Sequence, residues 1–388
     1  MPYTIKPRKR KGKVPSFHQL SQPLNNVLNR VTPLQARGNR NLKMTFEDQL
    51  NALIFFHLEE HQSGRHLLQV LNEDDYARHY IAPEEGIEKS SFFEAINTRG
   101  LTQLKEVFGA LHGEARKVLP KEYKHLGDLT VIDGSLIDAV LSMHWADYRD
   151  GAKKAKAHLG FDLNYYIPRK IFLTDGKGDE RPFVSQILSS GQTGIMDRYY
   201  QCHKNFDQWQ REGKHFVCRI KNKTRKKLIK AHEVNPGSIV FYDAIVLLGT
   251  PGINQTEEPL RLVGYTVDGV NYWVATDRYD LTAEQIAMIY KLRWSIESFF
   301  AWWKRHLKVY HLIARSPYGL MVQILGGLIT YILLAIYCYE QHGEKVSIRR
   351  VRQLRIKIHN ETMAMESMVP KSYRGRREND PYQSFAKT

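Results

Sequence analysis

Three patterns of apolar and polar positions succeed one another along the chain, and each predicts a different kind of structure. From Met44 the apolar residues recur at helical spacing. Phe46, Leu50, Leu53, Ile54 and Leu58 share one face behind Thr45 and Asp48, which suit a helix cap. Shorter helical segments follow over 65–71, from Ser90 after the break at Pro83 to Gly86, and over 102–111. At residue 126 the pattern changes to strands. Residues 129–132 are a short β-branched run ending at Asp133, where Asp-Gly-Ser reads as a turn; 158–166 and 169–174 read as a meander, 191–196 as a strand delivering Asp197, and 215–220 as another strand. Helices over 181–188 and 200–211 alternate with the later strands, which predicts an α/β layer architecture. Between 221 and 280 the pattern is almost purely β, with Asn-Pro, Pro-Gly and Asp-Gly turns, and predicts a strand-rich insertion.

Thr282 and Gln285 then form a capping box that opens the helix around which the rest of the chain is read. Within it Tyr290, Arg293, Glu297 and Lys304 are spaced by three, four and seven residues. At roughly 100° per residue they share an arc of about 60°. Ile289, Ile296, Phe300, Trp303 and Leu307 make an apolar stripe of the same period, so the helix is expected to pack against the domain. An exposed Arg–Glu pair four residues apart gives the same polar spacing and contributes only a few tenths of a kcal/mol. The Trp and Phe neighbours argue for burial, and buried charge is costly unless paired or used. Residues 318–339 carry no charged side chain, a run long enough to cross a membrane. Gln323, Thr330, the Gly326-Gly327 pair and the tyrosines dilute it, and a core helix buried nearly all round is expected, with no membrane partner.

Composition adds one strong constraint. A hydrophobic content of 42% with 25% charged residues fits a globular protein. The net charge of +16 attracts polyanions, nucleic acid first and an anionic membrane surface second. Lys6, Arg8, Lys9, Arg10, Lys11 and Lys13 cluster in the first 43 residues, which suggests a mobile basic arm or a solubilising tail. Arg349, Arg350, Arg352, Arg355, Lys371, Arg374, Arg376 and Arg377 make the end of the chain basic as well. On so basic a chain the helices of 44–125 suit a helix-turn-helix DNA reader, although a plain helical bundle fits the same pattern. Three cysteines without close pairing, and a basic start followed by polar sequence, point to a cytoplasmic, nucleoid-associated protein. No nucleotide-binding glycine loop and no G-x-S-x-G elbow occurs. Cys202-His203 and His215-x2-Cys218 lack zinc-finger spacing.

Carboxylates at strand ends and on a packed helix are what hard divalent ions use in phosphoryl transfer, because magnesium takes oxygen ligands. Asp133, Asp197 and Glu297 meet that placement. A single aspartate at a strand end more often caps a turn, so the three carry the reading only together. Arg293 and Lys304 flank Glu297 and can hold phosphates without losing their charge, while Tyr290 can donate to a phosphate oxygen; the alternative role is neutralising Glu297 within the fold. Trp294, Trp302 and Trp303 fit core packing by their spacing, with base stacking as the alternative. Trp273 in the β-rich segment carries the same two readings.

The stripe Tyr290-x2-Arg293-x3-Glu297-x6-Lys304 is similar to the Y-x2-R-x3-E-x6-K signature of the insertion-sequence-4 family of DDE transposases. Thr130-Val-Ile-Asp133-Gly-Ser and Gly194-Ile-Met-Asp197-Arg198 resemble that family's first two acidic motifs, with Tyr199 where a glycine commonly follows the arginine. The resemblance covers roughly residues 126–340. It implies an α/β fold with a ribonuclease H-like catalytic core in two parts, 126–220 and 281–344, interrupted by the β-rich insertion 221–280. Before the core stand the basic arm 1–43 and a helical, DNA-binding region 44–125; after it comes the basic tail 345–388. It also implies a DNA transposase that cleaves transposon ends and joins them to target DNA by a cut-and-paste route. Asp133, Asp197 and Glu297 would hold two Mg2+ or Mn2+ ions, and Tyr290, Arg293, Lys304 and Arg198 would contact DNA. The implied partners are DNA and a second copy of the chain, as a homodimer in a synaptic complex. A structure-specific nuclease on the same core and a catalytically silent DNA-binding protein are the alternatives.

Overall fold

The computed structural model describes residues 15–35, 42–59, 61–83, 85–307 and 310–368. Seven helices come first: α1 (Ser16–Ser21), α2 (Asn25–Leu28), α3 (Phe46–Leu58), α4 (Gly64–Glu73), α5 (Asp75–Tyr80), α6 (Lys89–Thr98) and α7 (Leu101–Val118). β1 (Asp128–Asp138), β2 (Lys154–Asp162) and β3 (Ile167–Asp175) follow, then α8 (Val184–Ile187), β4 (Gln192–Met196), α9 (His203–Arg211) and β5 (His215–Arg219). β6 (Lys226–Ala231), β7 (Val240–Leu248), β8 (Leu260–Val267) and β9 (Val270–Thr276) precede α10 (Ala283–Lys291), α11 (Trp294–His306), α12 (Pro317–His342) and α13 (Ile348–Met368).

All nine strands join one sheet, in the order β3-β2-β1-β4-β5-β9-β8-β7-β6. β1, β4 and β5 run parallel to one another, and the outer pairs are antiparallel. The parallel centre is largely apolar: Leu129, Val131, Ile132, Ile195, Met196, Phe216 and Val217 are all buried, as strands covered on both faces tend to be. The β-rich segment is therefore not a separate unit. β9 pairs with β5, Val217 opposite Thr276, and so covers an edge whose N–H and C=O groups would otherwise lie open.

The helices are assembled around α12. Its most apolar 18-residue window is 94% buried, in keeping with a core helix. The Gly326-Gly327 pair is what lets its neighbours approach. A Cβ on Gly326 would lie 2.9 Å from Leu53 Cβ in α3, and one on Gly327 would lie 3.2 Å from His57 Cε1 and 3.3 Å from Trp303 Nε1 in α11. Buried His57 seals this junction, with Nδ1 2.6 Å from the carbonyl oxygen of Leu307 and Nε2 2.9 Å from that of Gln323. The helices of 44–125 thus share a core with the chain's second half. Phe17, Leu20, Leu24 and Val27 are buried in the same core, so the described part of the segment read as a mobile arm is packed. The basic residues from Lys6 to Lys13, and those from Lys371 onward, lie outside the described residues.

Candidate active site

Asp133 lies in mid-strand, which corrects the expectation of a strand ending there: β1 runs on to Asp138 along β2, with Asp133 opposite Leu159. What ends beside it is β4. Val131 pairs with Ile195, the last pair of this parallel ladder; Asp133 lies two residues further along β1, and Asp197 follows the end of β4, close enough for its charge to act on Asp133. Asp133 Oδ1 accepts the N–H of Gly134 at 2.8 Å, and Asp197 Oδ1 accepts the N–H of Tyr199 at 2.8 Å. Each aspartate thus commits one oxygen to backbone.

Glu297 reaches the same place from α11. The helix expected to run unbroken through Tyr290 and Lys304 is two helices, α10 and α11, with Arg293 at the joint. The N–H groups of Arg293, Ser295 and Ile296 donate to carbonyls three residues back, a tightened turn that separates the two helices. Neither proline nor glycine marks it. Thr282 and Gln285 do form the capping box of α10.

The joint sets the Arg293 guanidinium between two carboxylates, Nη2 2.7 Å from Glu297 Oε1 and Nη1 3.8 Å from Asp133 Oδ2. Tyr290 is only 4% exposed; its ring lies 5.9 Å from Arg293 Cζ, and burial pushes its phenol up to about 12. It supports Arg293 from below, where an open phosphate donor was expected. Lys304, two turns beyond Glu297, donates to the carbonyl oxygen of Leu136 at 2.6 Å, so α11 lies along β1; burial holds its ammonium below the ordinary lysine value. Arg198 is exposed in the turn after Asp197 and makes no ion pair among the described residues. Trp303 is fully buried, as its spacing suggests, but Trp294 is 60% exposed at the start of α11, 5.3 Å from Arg293 Cζ.

A fourth carboxylate, Glu180, was not visible as a candidate in the sequence. Its Oε2 accepts the hydroxyl of buried Tyr200 at 2.7 Å, and its Oε1 lies 3.2 Å from Lys156 Nζ. The carboxyl group rests against Gly134, where a Cβ would come within 2.5–2.7 Å of it. The Asp-Gly step after Asp133 was the one available signal, and no spacing ties it to residue 180. Burial first, then the Glu180 charge, with Asp197 adding, push the Asp133 carboxyl up to about 7 despite the Gly134 N–H and Arg293. Among the described residues no three acidic, histidine or cysteine side chains already enclose a point between them. The donor set nonetheless fits a hard divalent ion: all ligands are carboxylate oxygens, and their negative charge is only partly neutralised by Arg293.

A family model described as the transposase DDE domain matches residues 124–333, an interval containing Asp133, Asp197, Glu297 and Lys304. It spans more than half of the chain, and the chain belongs to that family. Three curated proteins are similar to it. "Putative transposase y4zB" of Sinorhizobium fredii is 29% identical over 245 residues, 61% of this chain and 68% of that protein. "Putative transposase for insertion sequence element IS4SA" of Synechocystis is 26% identical over 283 residues, 70% of this chain and 78% of its own length. "Probable transposase for insertion sequence element IS5377" of Geobacillus stearothermophilus is 25% identical over 225 residues, 57% of this chain and 59% of its own.

Proposed function

We propose that this DDE transposase cuts transposon ends and joins them to target DNA by a cut-and-paste route, as a member of the insertion-sequence-4 family, with Asp133, Asp197 and Glu297 as its catalytic residues. The observation that supports this reading is the proximity of acids distant in sequence: Asp133 on β1 feels the charge of Asp197, which follows the parallel strand β4, and Glu297 is tied to Asp133 through Arg293. The strand order β3-β2-β1-β4-β5, with β1, β4 and β5 parallel, supports a ribonuclease H-like core. Bound at the three acids, two Mg2+ or Mn2+ ions would activate a water or a DNA 3′-hydroxyl and stabilise the leaving oxygen.

The chain's own residues supply the rest. Gly134 and Tyr199 N–H groups orient the two aspartates. Arg293 keeps its charge at any working pH and draws the scissile phosphate to the gap between Asp133 and Glu297. Lys304 and exposed Arg198 add positive charge on either side, where a DNA backbone would pass. The helical region 44–125 is a further DNA-contacting layer of the same body. Paired cutting of two ends calls for a homodimer on DNA.

The test incubates protein and transposon-end duplex with Mg2+, comparing wild type with Asp133→Asn. Cleavage and joined products from wild type alone support the proposal. Equal cleavage by both overturns the site, and cleavage without joined products favours a structure-specific nuclease.

A further inference from the structure

We infer that a second, basic cleft beside the acidic edge binds the phosphodiester backbone of DNA. It is a cavity of about 780 Å3 walled by the start of α9, the segment between β5 and β6, and the loop after β7. Its place in the fold is the first argument. β5 lies parallel to β4 with Met196 opposite Cys218, so Arg219 stands next to Asp197 and Lys221 follows two residues on. The cleft therefore opens on the same edge of the sheet as Asp133 and Asp197, on the side away from Glu297's partner strand β1.

Its charge is the second argument. Lys204, Lys221, Lys223 and Arg225 line it, all exposed, and none pairs with a carboxylate among the described residues. The two acids on its walls are already engaged. Asp207 accepts the N–H groups of Glu257 and Glu258 at 3.1 Å, and Glu257 pairs with Arg211 at 2.9 Å. Four unpaired cations around one cavity, against Asp207 as the one lining acid without an ion pair among the described residues, leave a net positive site for a polyanion, since like charges held together are unfavourable until an anion joins them.

The frame is built rather than loose. Gln201 accepts the Lys221 N–H at 2.8 Å and donates to Thr224 Oγ1 at 3.0 Å, and His203 Nδ1 lies 2.7 Å from the carbonyl oxygen of Asn254. Gly249, at φ +102°, lets the loop close on His203: a Cβ there would meet His203 Nδ1 at 2.6 Å. The inference rests on the transposase reading and extends it by assigning the path of the strand beyond Asp197.

The test measures binding of a fluorescein-labelled duplex by anisotropy across a salt series. Lys221→Gln/Arg225→Gln is compared with Arg349→Gln/Arg352→Gln, which removes equal charge from exposed positions on α13. The slope of log affinity against log salt is expected to fall by about 0.9 for each phosphate that is no longer neutralised, close to two units for the cleft pair and nearly none for the control. In unsubstituted protein, acetylation of Lys204, Lys221 and Lys223 read by mass spectrometry is expected to drop when duplex is bound. Equal slopes for both pairs, or unchanged acetylation, overturn the cleft. Wild type that binds no duplex overturns the transposase reading itself.

Discussion

Gly134→Ala is the most searching small change at the acidic edge, because the new methyl would collide first with the Glu180 carboxyl group. Its Cβ would lie 2.5–2.7 Å from the Glu180 carboxyl atoms. A free glutamate would swing aside at little cost. Glu180 is held by the Tyr200 hydroxyl at 2.7 Å and Lys156 Nζ at 3.2 Å, and the side chains of the Lys156–Glu180 pair are each only 13% exposed. Displacement therefore orphans a buried hydroxyl that had a charged acceptor, a loss of about 1.5–3 kcal/mol, with a smaller addition from the broken ion pair. We expect Gly134→Ala to destabilise the protein by about 2–4 kcal/mol in urea denaturation, a large share of the ~5–15 kcal/mol typical of a domain. A double-mutant cycle isolates the cause. Tyr200→Phe alone should cost about 1.5–2 kcal/mol, but in the Gly134→Ala background it should be neutral or stabilising, because the hydroxyl it removes is already unpaired. Additive losses would refute the reasoning, and so would a Gly134→Ala protein as stable as wild type.

Three further outcomes follow from the same geometry. Arg293→Lys keeps the charge but cannot span Glu297 and Asp133 with one planar fork, so single-turnover cleavage of end DNA should fall at least about tenfold, a ~1.4 kcal/mol loss; an unchanged rate would show that the bridge is incidental. Burial lowers the pKa of His61 to about 4, so its ring stays neutral in the fold near neutral pH and its contribution is intact above pH 6.5. As pH falls below 6.5 the unfolded chain takes up this proton first, which should cost about 2 kcal/mol by pH 5 in urea titrations, a dependence that His61→Phe should flatten. Gly326→Ala gains roughly 1 kcal/mol of helix propensity but sets a methyl 2.9 Å from Leu53 Cβ, and overpacking of about 1–3 kcal/mol should win, lowering the melting temperature; a rise would mean that α3 yields freely.

The elements set by local pattern were legible in the chain. Strands β1 to β5, the buried run of α12 and both capping boxes, at Thr45 and Thr282, rest on periodicity or on residues three apart, which a sequence displays directly. What was missed depends on pairing across the fold. The joint at Arg293 has no breaker residue; α10 packs on β4, β5, β7 and β8 while α11 packs on β1, and Tyr290 on the first is buried where Trp294 on the second is exposed. β1 continues past Asp133-Gly134 because β2 pairs with it residue by residue to Asp138, overriding the turn propensity of Asp-Gly-Ser. β9 joins β5 across 59 residues, Val217 opposite Thr276, a register that local sequence does not encode. Phe17, Leu20, Leu24 and Val27 were obscured by the basic residues that precede them. Glu180 joins the site only because three separate elements hold it there.

The most direct measurement of the central claim is Mn2+ binding, followed by calorimetry, in wild type and in Asp133→Asn, Asp197→Asn and Glu297→Gln. If the three acids form one ion site, each single change weakens binding by at least about tenfold, ~1.4 kcal/mol. Binding as tight as wild type in any one of the three would contradict it.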